Sequence, residues 1–177
     1  MRKLVVTEFM TLDGNIGAPM WSAPYWGDDI AEFKSAESAN SDTLLLGRMT
    51  YEGFAAAWPG RTDDPGADYF NGVEKVVVTS TLKNLEWQNS HLLQGDLISG
   101  VNELKSRDGQ DITVHGSGTL ARSLIKAGLV DELRLLVYPL TVGEGPRLFE
   151  DGMATTLKLV ESKQMASGVV SMVYERA

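Results

Sequence analysis

The sequence predicts an α/β protein of three layers, with helices on both faces of a mostly parallel mixed sheet and a C-terminal antiparallel hairpin. Three observations carry that prediction. Short runs rich in Val, Ile and Leu alternate with segments of helical periodicity; several runs end in glycine or hydroxyl turns that pass directly into a helix; and two strand-like runs flank Ala166-Ser167-Gly168 near the end. Strands that alternate with helices imply right-handed crossovers and parallel pairing. At 177 residues the chain fills one domain, 1–177, and is too short for two complete ones.

Taken in order, the strand-like runs are Lys3–Phe9, Thr43–Leu46, Lys75–Thr79, Ile112–Val114 and Glu132–Val137. Asp29–Ala39 places Ile30, Phe33 and Ala36 on one helical side. Asp96–Lys105 places Leu97, Val101 and Leu104 together behind an Asp N-cap, and Thr119–Lys126 carries Leu120, Ala121, Leu124 and Ile125 before Gly128. An aromatic-rich helical segment follows Gly47, and Pro59–Gly66 is a polar Pro/Gly-rich loop. Thr156–Met165 and Val169–Arg176 form the closing hairpin.

Composition excludes several functions. A net charge of −8 without a basic run opposes nucleic-acid binding, which needs clustered cations to neutralise phosphates. With no cysteine there is no disulfide, thiolate nucleophile or Cys-based metal site, which fits a reducing cytoplasm. Arg2-Lys3 before Leu4-Val5-Val6 resembles the start of a signal peptide, but Thr7-Glu8 breaks the apolar run, and no stretch approaches membrane-spanning length. His91 and His115 are isolated and lack metal-ligand spacing, so no metal site is expected and each histidine reads as structural.

Three turns carry candidate chemistry. Gly116-Ser117-Gly118 ends one strand and opens a helix, which aims free N–H groups and the positive dipole end beyond the sheet; a phosphate fits there, and so does a plain tight turn. Gly47-Arg48-Met49-Thr50-Tyr51 repeats the logic with a cation and a hydroxyl, although Arg48 alone reads equally as a solvated charge and Thr50 as a cap. Val76-Val77-Val78-Thr79-Ser80-Thr81 exposes hydroxyls at the end of a third strand. All three lie at the carboxyl ends of parallel strands, where open α/β sheets bind ligands.

These residues, with Asp13-Gly14-Asn15-Ile16-Gly17, resemble the dihydrofolate reductase fold over nearly the whole chain. Leu129–Leu133 and Pro139–Phe149 are similar to the reductase domain of the bifunctional riboflavin-biosynthesis deaminase-reductase. The resemblance implies an NADPH-dependent oxidoreductase, dihydrofolate reductase-like or 5-amino-6-(5-phosphoribosylamino)uracil reductase-like. It also implies a cofactor site in which Arg48, Thr79 and Ser80 hold the 2′-phosphate. Gly47, Thr50 and Gly116, Ser117, Gly118, Thr119 and Leu120 would hold the pyrophosphate, and Ile16 and Gly17 would border the nicotinamide. A cis peptide at Gly116-Ser117 and a homodimer are implied as well; the run Leu133–Val137, apolar on both faces, suggests a strand covered on both sides.

The substrate is expected to be a small heterocycle, pyrimidine- or pterin-like. By the same resemblance, Asp29 is the catalytic acid with Phe33 four residues on as a stacking ring, and Asp13, Trp21 and Trp26 contact the substrate. A bland reading stands beside this one: Asp28 and Asp29 stabilise a helix N-terminus by capping and dipole alone. Leu136 falls where folate-reducing members carry a threonine beside their acid. The rival to an enzyme is a non-catalytic module that binds a nucleotide or a planar small molecule on the same fold.

Overall fold

The computed structural model describes residues Met1–Ala177. Its elements are β1 (Leu4–Thr11), a 3-10 helix (Pro19–Tyr25), α1 (Asp28–Ala39), β2 (Ser41–Gly47), α2 (Arg48–Ala57), α3 (Ala67–Gly72) and β3 (Glu74–Val78). They are followed by β4 (Ser90–Leu92), α4 (Leu97–Ser106), β5 (Asp111–His115), α5 (Gly118–Lys126), β6 (Glu132–Tyr138), β7 (Leu157–Gln164) and β8 (Val170–Arg176). One eight-stranded sheet runs β4-β3-β2-β5-β1-β6-β8-β7. β1 to β6 pair in parallel, and the C-terminal β8 pairs antiparallel with both β6 and β7.

Each expected strand and helix forms, with ends shifted by one or two residues. Asp96 caps α4 as its sequence position suggests, its Oδ1 accepting from the Ile98 and Ser99 N–H groups at 3.0 Å each. Three short elements escape the periodicity argument: the three-residue β4, the six-residue α3 and the 3-10 helix, none long enough to show a repeat.

Period-2 alternation along the strands builds a core on each face. Leu4 and Val6 of β1, Ile112 and Val114 of β5, and Leu133 and Leu135 of β6 pack under α4 and α5. On the opposite face, Leu44, Leu46 and Val77 pack with Tyr51 of α2 and Trp87, while Ile30 of α1 packs with Leu136 and Tyr138 of β6. β6 is thus covered on both faces by its own chain. That is the two-sided cover the apolar run Leu133–Val137 suggests, and Leu136 is core beside Ile30.

Candidate functional site

The strand order opens a cleft between β1 and β5. The connection from β1 reaches β2 through α1 on one face, and the connection from β5 reaches β6 through α5 on the other, so neither helix covers the strand ends between them. Pairing of β1 with β5 stops at Thr7–His115, whereas pairing with β6 continues to Thr11–Tyr138. The backbone groups of Thr7 face β5, where its carbonyl accepts from the Gly116 N–H at 3.3 Å; two residues on, those of Phe9 point the same way, past the end of β5. A cleft of about 1280 Å³ occupies this gap and extends along the ends of β2 and β5.

Two helix N-termini point into it. Gly47 precedes α2 and Ser117 precedes α5, and neither provides a side-chain cap, so the first N–H groups of both helices lack the partner that a Ser or Asp cap supplies. The Ser117 hydroxyl is used otherwise: it accepts from the Gly47 N–H at 3.0 Å and ties the two turns together. Gly116 and Ser117 adopt φ values of 55° and 60°, consecutive left-handed residues that turn the chain from strand into helix. The peptide bond between them is trans, as are all others, so the expected cis bond is not formed; the paired left-handed dihedrals make the turn instead.

The Asp13–Gly17 loop closes the cleft from above. A Cβ on Gly118 would stand 2.5 Å from Ile16 Cδ1, and one on Gly17 would stand 2.7 Å from Pro146 Cδ, so loop and helix start are packed to backbone distance. Asn15 holds this geometry: its Oδ1 accepts from the Gly17 N–H at 2.8 Å, its amide donates to the Glu144 carbonyl, and its backbone bridges Arg147. The Pro139–Phe149 segment thereby serves as the brace of the loop.

Of the residues nominated for the cofactor, Ile16, Gly17, Gly47, Arg48 and Thr50 line the cleft, as do Gly116, Ser117, Gly118, Thr119 and Leu120. Arg48 forms an exposed ion pair with Glu52 one turn on, N···O 3.3 Å. Thr79 and Ser80 do not line it; the Thr79 hydroxyl accepts from the Thr81 and Leu82 N–H groups at 3.1 and 3.2 Å and is occupied by its own turn. Only Val78 reaches the cleft from that strand.

The nominated substrate residues are mostly elsewhere. Trp26 lines the cleft and is 53% exposed. Phe33 packs into the Ile30–Leu136–Tyr138 cluster, and Trp21 lies edge-on to Tyr138 at 5.1 Å. The Asp13 carboxylate is committed to the loop: the Thr11 hydroxyl, the Gly143 N–H at 2.7 Å and the Val142 N–H at 3.3 Å hold its pKa down to about 2. Asp29 is outside the cleft lining. Its Oδ2 accepts from the Ala166 N–H at 2.6 Å and its Oδ1 from the Ile30 N–H at 2.9 Å, so it pins the β7–β8 turn to α1 and has no geometric support as a proton donor.

Two titratable groups of the cleft floor are buried with an unpartnered atom. Glu8 of β1 lines the cleft at 3% exposure, its Oε1 has no hydrogen-bond partner, and burial pushes its carboxyl up to about 8 despite the opposing pull of Lys34 and Arg122. His115, at the end of β5, also lines the cleft with Nε2 unpartnered; burial, then the charges of Lys34 and Arg134, hold its imidazole well below the ordinary range and therefore neutral. Lys34 of α1 donates to the Thr7 hydroxyl at 3.1 Å and pairs with the buried Glu37. Trp58 stacks on Phe70 at 4.2 Å, and with Phe54 they form an aromatic wall on the α1 side. The sequence carried one signal for Glu8: a charge set in the middle of an otherwise buried parallel strand, where charges are rare.

Comparison with known proteins places the chain. The profile of the RibD C-terminal domain matches residues 2–171. The chain belongs to that family. It is 32% identical over 183 residues to the uncharacterized protein YyaP of Bacillus subtilis (strain 168), covering 98% of this chain and 94% of that one. It is also 26% identical over 181 residues to YwjB of the same strain, covering 95% of each. Among solved structures, a protein of Shewanella sp. PV-4 assigned to riboflavin biosynthesis superposes with a TM-score of 0.81 at 19% identity, covering 99% of both chains. A pyrimidine reductase-like protein of Corynebacterium diphtheriae superposes at 0.69 and 14% identity, covering 99% of this chain and 92% of the other. At those identities the superpositions establish the shared fold, with its antiparallel hairpin at the end of a mostly parallel sheet.

Proposed function

We propose that this protein is an NADPH-dependent reductase that passes a hydride to a small nitrogen heterocycle. One observation carries the reading: the uncapped N-termini of α2 and α5 converge on one cleft and are tied to each other through Ser117. Two sets of free N–H groups at a common edge suit the two phosphates of a dinucleotide, which an acidic protein must bind largely through its backbone. Arg48 on α2 and Arg122 on α5 border the same edge and supply the placed cations.

NADPH, when bound, supplies the hydride and its two electrons. The chain's own residues position and shield. The free backbone edge of Phe9 faces the gap between β1 and β5 and suits a planar group with both a donor and an acceptor. Ile16 and Gly17, braced by Asn15 and Pro146, cover it and keep water out. On the α1 side, Trp58, Phe70, Phe54 and Trp26 offer flat apolar surface to an acceptor ring, with Lys34 and neutral His115 as its polar neighbours. The apolar contact of Ile30 with Leu136 leaves no acid–hydroxyl pair there, which favours a pyrimidine-like acceptor over a pterin. A cytoplasmic location is part of the same reading, as is a homodimer formed through the β7 edge, where Leu159 and Val160 are half exposed.

The test is to titrate the protein with NADPH and then follow its absorbance with 5-amino-6-(5-phosphoribosylamino)uracil, 7,8-dihydrofolate and simple cyclic imines as acceptors. Tight binding with acceptor-dependent oxidation is expected. Binding without oxidation of any NADPH would instead identify a non-catalytic nucleotide-binding module.

A further inference from the structure

Two polar groups meet on the α1 face of the cleft floor, at the point where β1 leaves β5. Thr7 and His115 are the last register partners of that pairing, so their side chains project from one face, about 5 Å apart. Val6 and Val114, one residue back on each strand, pack under α4 and α5, which puts Thr7 and His115 on the α1 side. The Lys34 ammonium reaches the same spot from α1 and donates to the Thr7 hydroxyl at 3.1 Å. Its charge is paired with the buried Glu37 carboxylate. An ammonium carries three donors, of which Thr7 and Glu37 engage two, and Lys34 lines the cleft with the third.

His115 stands beside it, 7% exposed, lining the cleft with its Nε2 unpartnered. A buried polar atom without a partner forfeits its hydration, a cost that a hydrogen bond to a ligand removes. Aromatic rings bound the pair on both sides. The Phe9 ring centroid lies 5.6 Å from Lys34 Nζ, and the Phe70 ring lies 5.6 Å from that of His115, with Trp58 stacked on Phe70. Charge is balanced here: Glu37 neutralises Lys34, and Asp64, which lines the same side, is paired with Arg61.

We propose that Lys34 and His115 are the recognition pair for the acceptor, and that they select an uncharged ring with a lactam edge, a carbonyl beside a ring N–H. The carbonyl accepts from the free Lys34 N–H, and the ring N–H donates to the His115 imidazole, which burial keeps neutral. The inference rests on the reductase reading above for calling this ring the acceptor. A phosphate or carboxylate on the ring gains little from a lysine that is already paired, and it loses hydration among Phe9, Phe70 and Trp58. The pair therefore separates free-ring acceptors from phosphorylated ones, a choice the fold alone leaves open.

Ligand binding tests this without turnover. Uracil, 1,3-dimethyluracil and orotate share one ring; the second lacks both ring N–H groups, and the third adds a carboxylate. In protein labelled with 15N-histidine, uracil should shift the imidazole signals of His115 and leave those of the exposed His91 in place. His115→Phe, which keeps a ring of similar size, assigns the signal by removing it. 1,3-Dimethyluracil should bind roughly three- to tenfold more weakly than uracil, the worth of one hydrogen bond, and orotate more weakly than uracil as well. In His115→Phe, uracil should fall to the level of 1,3-dimethyluracil. Lys34→Met strands Glu37 in the interior, so it is made together with Glu37→Gln, and this double variant should lose roughly tenfold for uracil. The ligand series on the parent protein decides the question even if a variant does not fold. No shift of His115 with uracil, equal binding of uracil and 1,3-dimethyluracil, or tighter binding of orotate overturns the pair and leaves the reductase reading standing. If uracil binds as expected but no acceptor oxidises NADPH, the reductase reading fails and takes the acceptor role of this subsite with it.

Discussion

Arg48 offers the sharpest test of how the cleft chooses its cofactor. It opens α2 at the cleft edge, and its only ionic partner is Glu52, one turn on, with both side chains nearly half exposed at 45% and 43%. An exposed i,i+4 pair contributes about 0.3–0.5 kcal/mol, so little holds the guanidinium back from a ligand phosphate. A charge-assisted hydrogen bond to such a phosphate contributes about 1.5–3 kcal/mol. Subtracting the broken pair leaves about 1–2.5 kcal/mol, a roughly 5- to 60-fold change in Kd. Arg48→Ala should therefore weaken NADPH binding by about that factor and NADH binding much less, because only NADPH carries the 2′-phosphate. Glu52→Gln should act oppositely: it frees Arg48 and removes a nearby negative charge, which should tighten NADPH by about twofold. The assay is a pair of fluorescence titrations, NADPH and NADH, at low and at physiological ionic strength, with the Arg48 effect shrinking as salt rises. Equal losses for both cofactors in Arg48→Ala, or no tightening in Glu52→Gln, would refute the assignment of Arg48 to the phosphate.

Other predictions follow from the same geometry. Ser117→Ala removes the acceptor for the Gly47 N–H and should cost about 0.5–1.5 kcal/mol in urea unfolding, with a matching loss of NADPH affinity as the two helix starts loosen. Asp29→Asn should weaken the tether to Ala166 and lower stability by about 1 kcal/mol, yet leave turnover within a few-fold of the parent; a loss of roughly 10²-fold or more would restore Asp29 as the acid. Glu8 also links folding to pH. Its folded pKa of about 8 lies above its ordinary value, so the folded state holds the extra proton, and its stabilising effect is complete below about pH 4.5 and lost as pH rises through 8. Across that window the parent should lose stability relative to Glu8→Gln by up to about 1.4 kcal/mol per pH unit, measured by denaturant midpoints at pH 5 and pH 8.

The sequence alone determined the layers, the strand and helix order, the hairpin and the two glycine turns, because these depend on local rules: side-chain period, capping and the dihedrals that glycine permits. It also brought Arg48, Thr50 and the Gly116–Leu120 turn to one place, since turns at the carboxyl ends of adjacent parallel strands share an edge, but it did not show that Thr79 and Ser80 on the third such turn stay outside the cleft. What it could not decide depended on which residue meets which across the fold. Asp29 reads as an acid beside an aromatic ring, but whether a carboxylate at a helix start faces a cleft or a hairpin turn is set by where Ala166 lands, 137 residues away. Trp21 and Phe33 read as substrate contacts, but Tyr138 and Leu136 take them into the packing instead. Leu133–Val137 is two-sided because β8 docks beside it and α1 and α5 cover it, which tertiary contacts alone supply. Glu8 is the converse case: its charge in a buried strand was visible in the sequence, but only the early end of β5 gives that carboxyl a cleft to face.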